Sequence, residues 1–257
     1  MSGDFWNVAR ALAWRNLKNT VARPAVAIPP MIIPLVFFAT FAGGLAALGQ
    51  APGFRYPLSY TSFQFVFVWL QGSAFQGMFS GFLIARDFES GFARRLMVGA
   101  PNRLGILCGY LLSTLARAAA GAVVVFGVGF AAGVRTKGNV GDVAGLVAIG
   151  FLLTVMSSLW AAGVSLRFRT IQAGPLMQMP IFLVIFLSPV FVPLALLTGW
   201  IKAPARVNPF TILIEQGRNL LAGTNPRTAV AFGVALAVIA VATVWSVRGL
   251  RIAERAG

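Results

Sequence analysis

The sequence predicts an all-α integral membrane protein. Six transmembrane helices are expected, with an N-terminal interfacial amphipathic helix and an outer re-entrant helical segment between spans five and six. Three observations predict this class. Only 11% of the 257 residues are charged, against roughly 25% in a soluble domain, and the mean hydropathy is +0.82. Six stretches, about 25–48, 58–84, 105–133, 143–165, 172–197 and 228–247, each offer the roughly 20 mostly apolar residues that a bilayer crossing needs. Basic residues fall unevenly on the connections. Thirteen lie in the N-terminus, the 85–103 connection, Arg167 with Arg169, and the C-terminus, against seven in the alternate set. The positive-inside rule then places both termini in the cytoplasm, in agreement with an even number of spans.

The elements follow in order. "DFWNVARALAWRNLKNT" puts Phe5, Val8, Ala9, Leu12 and Ala13 on one side of a helix over about 4–22, although Arg15 and Asn16 blur its faces. Its Trp and Arg edges suit the cytoplasmic interface; a short soluble tail is the alternative. The first apolar run starts near Ala25 behind this basic stretch and is long enough to span, so it is expected to be retained as a span and not cleaved as a signal. It carries Pro24, Pro29, Pro30 and Pro34, which leave backbone groups unpaired in lipid unless protein covers them.

Between spans two and three, "ARDFESGFARRLMVGAPNR" gathers four arginines and two of the six carboxylates. Residues 170–201 run 32 residues without a charge, punctuated by Pro175, Pro180, Pro189, Pro193 and Gly199. A helix that crosses, breaks near Pro189–Pro193 and partly re-enters from outside fits this run. "VNPFTILIEQGRNLLAG" then reads as a short helix, closing an outer segment over about 198–223. Pro209 stands in its first turn, Glu215 and Arg218 are three apart on one face, and Gly223 is a C-cap. Spans and connections consume the chain, which leaves no room for a sizeable soluble domain. Neither a repeat nor inverted symmetry is visible, which counts against many secondary-transporter folds.

Several chemistries are excluded. Histidine is absent and Cys108 is the single cysteine, which removes disulfides and Cys/His metal or nucleophile sites. The three lysines, Lys18, Lys137 and Lys202, follow Leu17, Thr136 and Ile201, so no phosphate-binding Gly-Lys-Ser/Thr loop exists. All six acids fall outside the expected spans, which removes both a catalytic pair in the membrane and a midplane carboxylate for ion coupling. The net charge of +15 is scattered over short connections and suits anionic lipid better than nucleic acid. An arginine-rich, Ala/Gly/Val-rich composition suggests a high-GC bacterium, hence a bacterial inner-membrane location.

Three blocks in order resemble one family. "ARDFESGFARRLMVGAPNRLGILCGYLL", "PVFVPLALLTGWIKAPARVNPFTILIEQGRNLLAG" and "WRNLKNTVARPAVAIPPMIIPLVF" look like the coupling connection, the outer re-entrant helices and the interfacial helix of type-2 ABC exporter permeases of the small drug- and lipid-exporting kind. The resemblance implies a homo- or heterodimer of permeases above two cytosolic ATPase subunits. Those subunits would bind ATP and Mg, and this chain would carry no cofactor. It also implies a coupling helix over about 86–100, with Arg86, Asp87, Glu89, Gly91, Arg94, Arg95 and Pro101 in the contact, and an outer segment that uses Pro189, Pro193, Asn208, Pro209, Glu215, Arg218 and Gly223. An ordinary basic loop at lipid headgroups is the alternative reading of the connection.

In that family spans two and five face each other across the dimer. Gln64, Phe67, Gln71, Phe75 and Met78 recur at helical spacing on span two, and Gln172, Met179, Phe182 and Phe186 on span five. They are candidates for a path taken by an apolar or amphipathic substrate, or else for helix packing. A polysaccharide exporter or an ATP-independent channel or carrier is the competing function. Arg117 stands about 13 residues into the third apolar stretch. It either meets an anionic group in a protein-lined cavity or reaches the cytoplasmic headgroups from a helix that begins below the membrane. The second reading is favoured, since no carboxylate in the expected spans could pair with it.

Overall fold

A computed structural model describes residues 2–22, 29–100, 102–224 and 228–255. They form ten α-helices joined by short turns and 3₁₀ segments, with no strand among the described residues. Helix α1 is Ser2–Ala22, α2 Pro29–Gly44, α3 Tyr60–Glu89, α4 Phe92–Gly99 and α5 Leu104–Ala131. Then follow α6 Val140–Phe168, α7 Gly174–Phe186, α8 Lys202–Val207, α9 Pro209–Ala222 and α10 Thr228–Arg255. Three stretches are long and apolar enough to cross a membrane, namely Leu104–Ala131, Val140–Phe168 and Thr228–Glu254. Met31–Gly44 and Ile171–Phe186 are shorter apolar helical stretches.

The ends of the helices follow from local chemistry. Asn139 and Asp142 bond each other's backbone N–H at 2.9 Å and close a capping box on α6. Ser59 accepts from Ser62 N at the start of α3. Helix α3 extends past its expected end at 84, through the first charged residues of the connection, and stops where Gly91 takes φ +73°. The expected coupling helix over 86–100 is therefore divided: 86–89 belong to α3, and only α4 stands apart. Helix α7 stops at Phe186, and residues 187–193 leave the helix around Pro189 and Pro193. Pro24 and Pro101 lie outside the described residues.

Helix α3 occupies the centre, and 24 of its 30 residues are buried. Its main neighbour is α6, and small residues let the two backbones meet. A Cβ on Gly77 would fall on Ser157 and the carbonyl of Thr154, and one on Gly81 would stand 2.7 Å from Ala161 Cβ. Polar side chains bind this seam, as expected where little hydrophobic force acts between helices in lipid. Ser80 and Ser158 share a hydroxyl bond of 2.7 Å, Ser165 Oγ donates to Gly81 O at 2.8 Å, and Trp69 Nε1 donates to Leu146 O at 3.0 Å. Helix α10 covers the far side of α6, where Trp160 and Trp245 stack with centroids 5.3 Å apart. The outward faces of α5 and α10 expose Val123, Val128, Phe130, Leu236, Val241 and Val244, a surface suited to lipid.

Helix α1 packs against α5. The face carrying Ala9, Leu12 and Ala13 is buried as the pattern predicts, but α5 covers it. The two helices run side by side in one direction, with Phe5 and Val8 at Gly105 and Ala9 and Leu12 at Gly109. Small residues four apart on α5 make room for that approach, so protein meets this part of the apolar face.

The α3–α6 seam yields a prediction. Gly77→Ala forces a methyl group against Ser157 and Thr154 O and should destabilise the protein by about 1–3 kcal/mol. Thermal unfolding in detergent measures this, and an unchanged midpoint would show that the seam can open without cost.

Candidate functional site

The charged connection after α3 is built around a buried carboxylate. Asp87, on the last turn of α3, is 8% exposed. Arg15 of α1 grips it with both terminal nitrogens at 2.9 Å, and Tyr110 OH of α5 donates to Oδ2 at 2.6 Å. The Arg15 guanidinium lies 3.6 Å from the centre of the Phe92 ring, which brings α4 into the same cluster. Asp87 is thus a joint between helices, and its placement as an outward contact is corrected: a carboxylate with three charge-assisted bonds has little capacity left for a partner. Glu89 accepts from Thr170 Oγ1 at 2.9 Å and Ile171 N at 2.8 Å, tying this connection to the one between α6 and α7.

Helix α4 hangs from Gly91 with Ala93 and Met97 turned inward. Arg94, Arg95 and Val98 are exposed, as is Arg86 on α3. Arg103 pairs with Glu254 of α10 at 3.4 Å. An open groove of about 570 Å³ runs between α1 and α4, lined by Asp4, Asn7, Arg15, Phe92, Arg95 and Leu96 among others. Sequence reading missed Arg15 and Tyr110. Arg15 did leave a signal, as a cation that interrupts the apolar face of α1.

At the opposite end of α3 a second cluster brings the outer-segment residues together. Arg218 of α9 is 3% exposed and donates to Pro189 O at 2.7 Å, to Val190 O at 2.9 Å and to Glu215 Oε1 at 3.2 Å. Its guanidinium lies 3.4 Å from the centre of the Phe63 ring on α3. Tyr56 donates to Arg218 O at 3.0 Å; burial pushes that phenol well above its ordinary value, which keeps it a donor. Asn208 caps α9 through Phe210 N and donates to Val184 O of α7, with Pro209 at the first helical position. Gly223 ends α9 at φ +65°, close against Lys137 O. Pro193 opens the short 3₁₀ turn Leu194–Leu196 and takes no part in this cluster.

The path candidates divide. Gln64, Phe67, Gln71, Phe75 and Met78 are 0–2% exposed and pack the core around α3. Gln64 Nε2 donates to Tyr60 OH at 2.6 Å. Both amide atoms of Gln71 are buried without a hydrogen-bond partner among the described residues. On α7 Met179 and Phe186 stand at the surface, as does Gln172 just before the helix. Phe182 packs on Phe75 with centroids 5.2 Å apart. Arg117 of α5 is half-buried and turns into a groove shared with Arg86 of α3. No group of three or more acid or cysteine side chains is placed to hold a metal among the described residues.

The fold and these two clusters define an all-helical membrane protein whose polar residues join helices and whose connections carry its exposed charge. The chain belongs to the ABC-2 type transporter family, whose model matches residues 7–221. Membership makes it a permease component, the membrane domain of an ABC transporter. No curated protein matches the chain.

The Arg218 cluster sets a test. Arg218→Ala leaves two buried carbonyls without their donor, each loss costing about 1–3 kcal/mol. Thermal unfolding should show a drop of that size. Arg218→Lys should recover only part, because an ammonium cannot present the same planar fork.

Proposed function

We propose that this chain is a six-span permease that works as a dimer, homo- or heteromeric, with two separate cytosolic ATPase subunits. It exports a hydrophobic or amphipathic, drug-like or lipid-like substrate from the cytoplasm or inner leaflet of a bacterial cell membrane. The spans are α2, α3, α5, α6, α7 and α10, both termini are cytoplasmic, and 198–223 is the outer re-entrant segment. ATP and Mg are held by the ATPase partner, to which membership of the family points.

One observation carries the coupling role. Helix α4 presents Arg94, Arg95 and Val98 outward, while its Phe92 lies against the guanidinium of Arg15 of α1, which in turn holds Asp87 of α3 beside Tyr110 of α5. A surface docked on α4 would pull on α1, α3 and α5 together. Glu89, bonded to Thr170 and Ile171, would carry the same displacement to the start of α7. The exposed apolar residues of α7, Met179 and Phe186, support an apolar or amphipathic cargo. Glycan export is the competing outcome, and would show as ATPase stimulation by glycans and not by lipids or drugs in the reconstituted complex.

Two variants separate the coupling surface from the joint behind it. Arg94→Glu with Arg95→Glu should leave the permease folded and inserted, and should lower transport at least tenfold or leave hydrolysis running without transport. Asp87→Asn should instead lower the thermal midpoint of the permease itself, since it removes the charge that holds Arg15. Unchanged transport in the double arginine variant would mean that the ATPase docks elsewhere.

A further inference from the structure

One groove in the protein places two arginines beside an apolar wall. It holds about 200 Å³ between α2, α3 and α5, with Met31, Phe79, Phe82 and Leu83 on its wall and Arg86 and Arg117 as its charges. Its lining holds no carboxylate among the described residues. The acids nearest in the chain are committed elsewhere, Asp87 to Arg15 and Tyr110 and Glu89 to Thr170 and Ile171. Arg117 spends Nη2 on Thr114 Oγ1 at 3.1 Å, while Nη1 is enclosed with no hydrogen-bond partner among the described residues.

An arginine keeps its proton in proteins, and an enclosed N–H of a cation that has no acceptor is unfavourable. Its needs are met by an anion with several oxygens, which a guanidinium can take in a two-pronged contact. The wall beside it asks for hydrocarbon. Both demands meet in one molecule only if it is amphipathic.

We propose that this groove binds one anionic phospholipid from the leaflet on the α4 side. Its phosphate is held by Arg117 with Arg86, and an acyl chain lies against Phe79, Phe82, Leu83 and Met31. This goes beyond the transport reading and does not depend on the cargo; only the name of the leaflet follows from the orientation proposed above. It also revises the choice between the two sequence readings of Arg117. The side chain serves an anion in a groove between helices, and does not merely reach for bulk headgroups.

Native mass spectrometry of the full-length chain in detergent tests this. Phosphatidylglycerol and phosphatidylcholine with the same acyl chains are titrated in turn, with inorganic phosphate as competitor. The wild type should retain one phosphatidylglycerol in preference to phosphatidylcholine. Arg86→Gln with Arg117→Gln should weaken phosphatidylglycerol binding about tenfold or more while leaving phosphatidylcholine unchanged. Its lipid-free thermal midpoint should be equal or higher, because the unpartnered Nη1 is gone. Should the double variant fail to fold, Arg86→Gln alone, altered only at an exposed side chain, should weaken phosphatidylglycerol binding several-fold. Unaltered phosphatidylglycerol binding in the folded variant overturns the proposal. Displacement of the lipid by millimolar inorganic phosphate overturns it too, since the site would then serve a soluble phosphate group.

Discussion

Helix α3 is enclosed by protein along nearly all its length, and the rest of the structure is arranged to make that possible. At 30 residues it is about 45 Å long, enough to pass through the hydrocarbon and beyond. It carries Gln64, Gln71 and Gln76 among its aromatics, and all three are buried. A helix facing lipid could not hold three amides without large cost. One surrounded by other helices can, provided that those helices bring hydroxyls, carbonyls and small residues to its surface. Helix α6 brings such groups to Ser73, Ser80, Gly81 and Trp69 of α3, through Thr154, Ser158 and Ser165 and the carbonyl of Leu146. The amide of Gln71 is enclosed without a partner among the described residues. Of the three helices long and apolar enough to cross a membrane, α5 and α6 pack directly on α3, and α10 lies against α6.

Each end of α3 is fixed by an arginine brought from another helix. On one side Arg15 reaches Asp87; on the other Arg218 lies over Phe63. The two sites differ in their acceptors. Arg15 meets a full carboxylate, whereas Arg218 is held mainly by the carbonyls of Pro189 and Val190. Those carbonyls are free because the chain leaves the helix after α7, so the break supplies the acceptors that α9 needs. Pro189 and Arg218 are therefore one device, separated in sequence and joined in space.

Much of this was legible in the sequence. Apolar runs pointed to an all-helical membrane chain, and Pro209 and Gly223 marked the limits of α9 to within a residue. Gly91 marked the turn before α4. What the sequence concealed was the direction in which polar groups point. Asp87 sits among arginines in a connection, and nothing local distinguishes a solvated acid from one taken by a helix 72 residues away. The stripe of Gln64, Phe67, Gln71, Phe75 and Met78 had the same ambiguity. Helical spacing says that residues share a face, but not whether that face meets a cavity or another helix. Here it meets the core. Arg117 was read as reaching for headgroups because no acid in the spans could pair with it, yet a shortage of acids inside the protein equally favours an anion from outside.

These constraints bear on how force could pass through the molecule under the proposed function. The end of α3 near α4 is stiff: a carboxylate shared by Arg15 and Tyr110 locks α1, α3 and α5 together, and Glu89 adds the α6–α7 connection. The far end is also held, but there the chain between α7 and α8 has little regular structure and depends on carbonyl contacts to one arginine. Under the proposed function a displacement entering at α4 would pass through this joint to α1, α3 and α5 together. It would be taken up at residues 187–201, where the chain has left the helix. Opening and closing would be set on the outer side by whether Arg218 keeps its two carbonyls, although the drive is applied tens of ångströms away at the other end of α3.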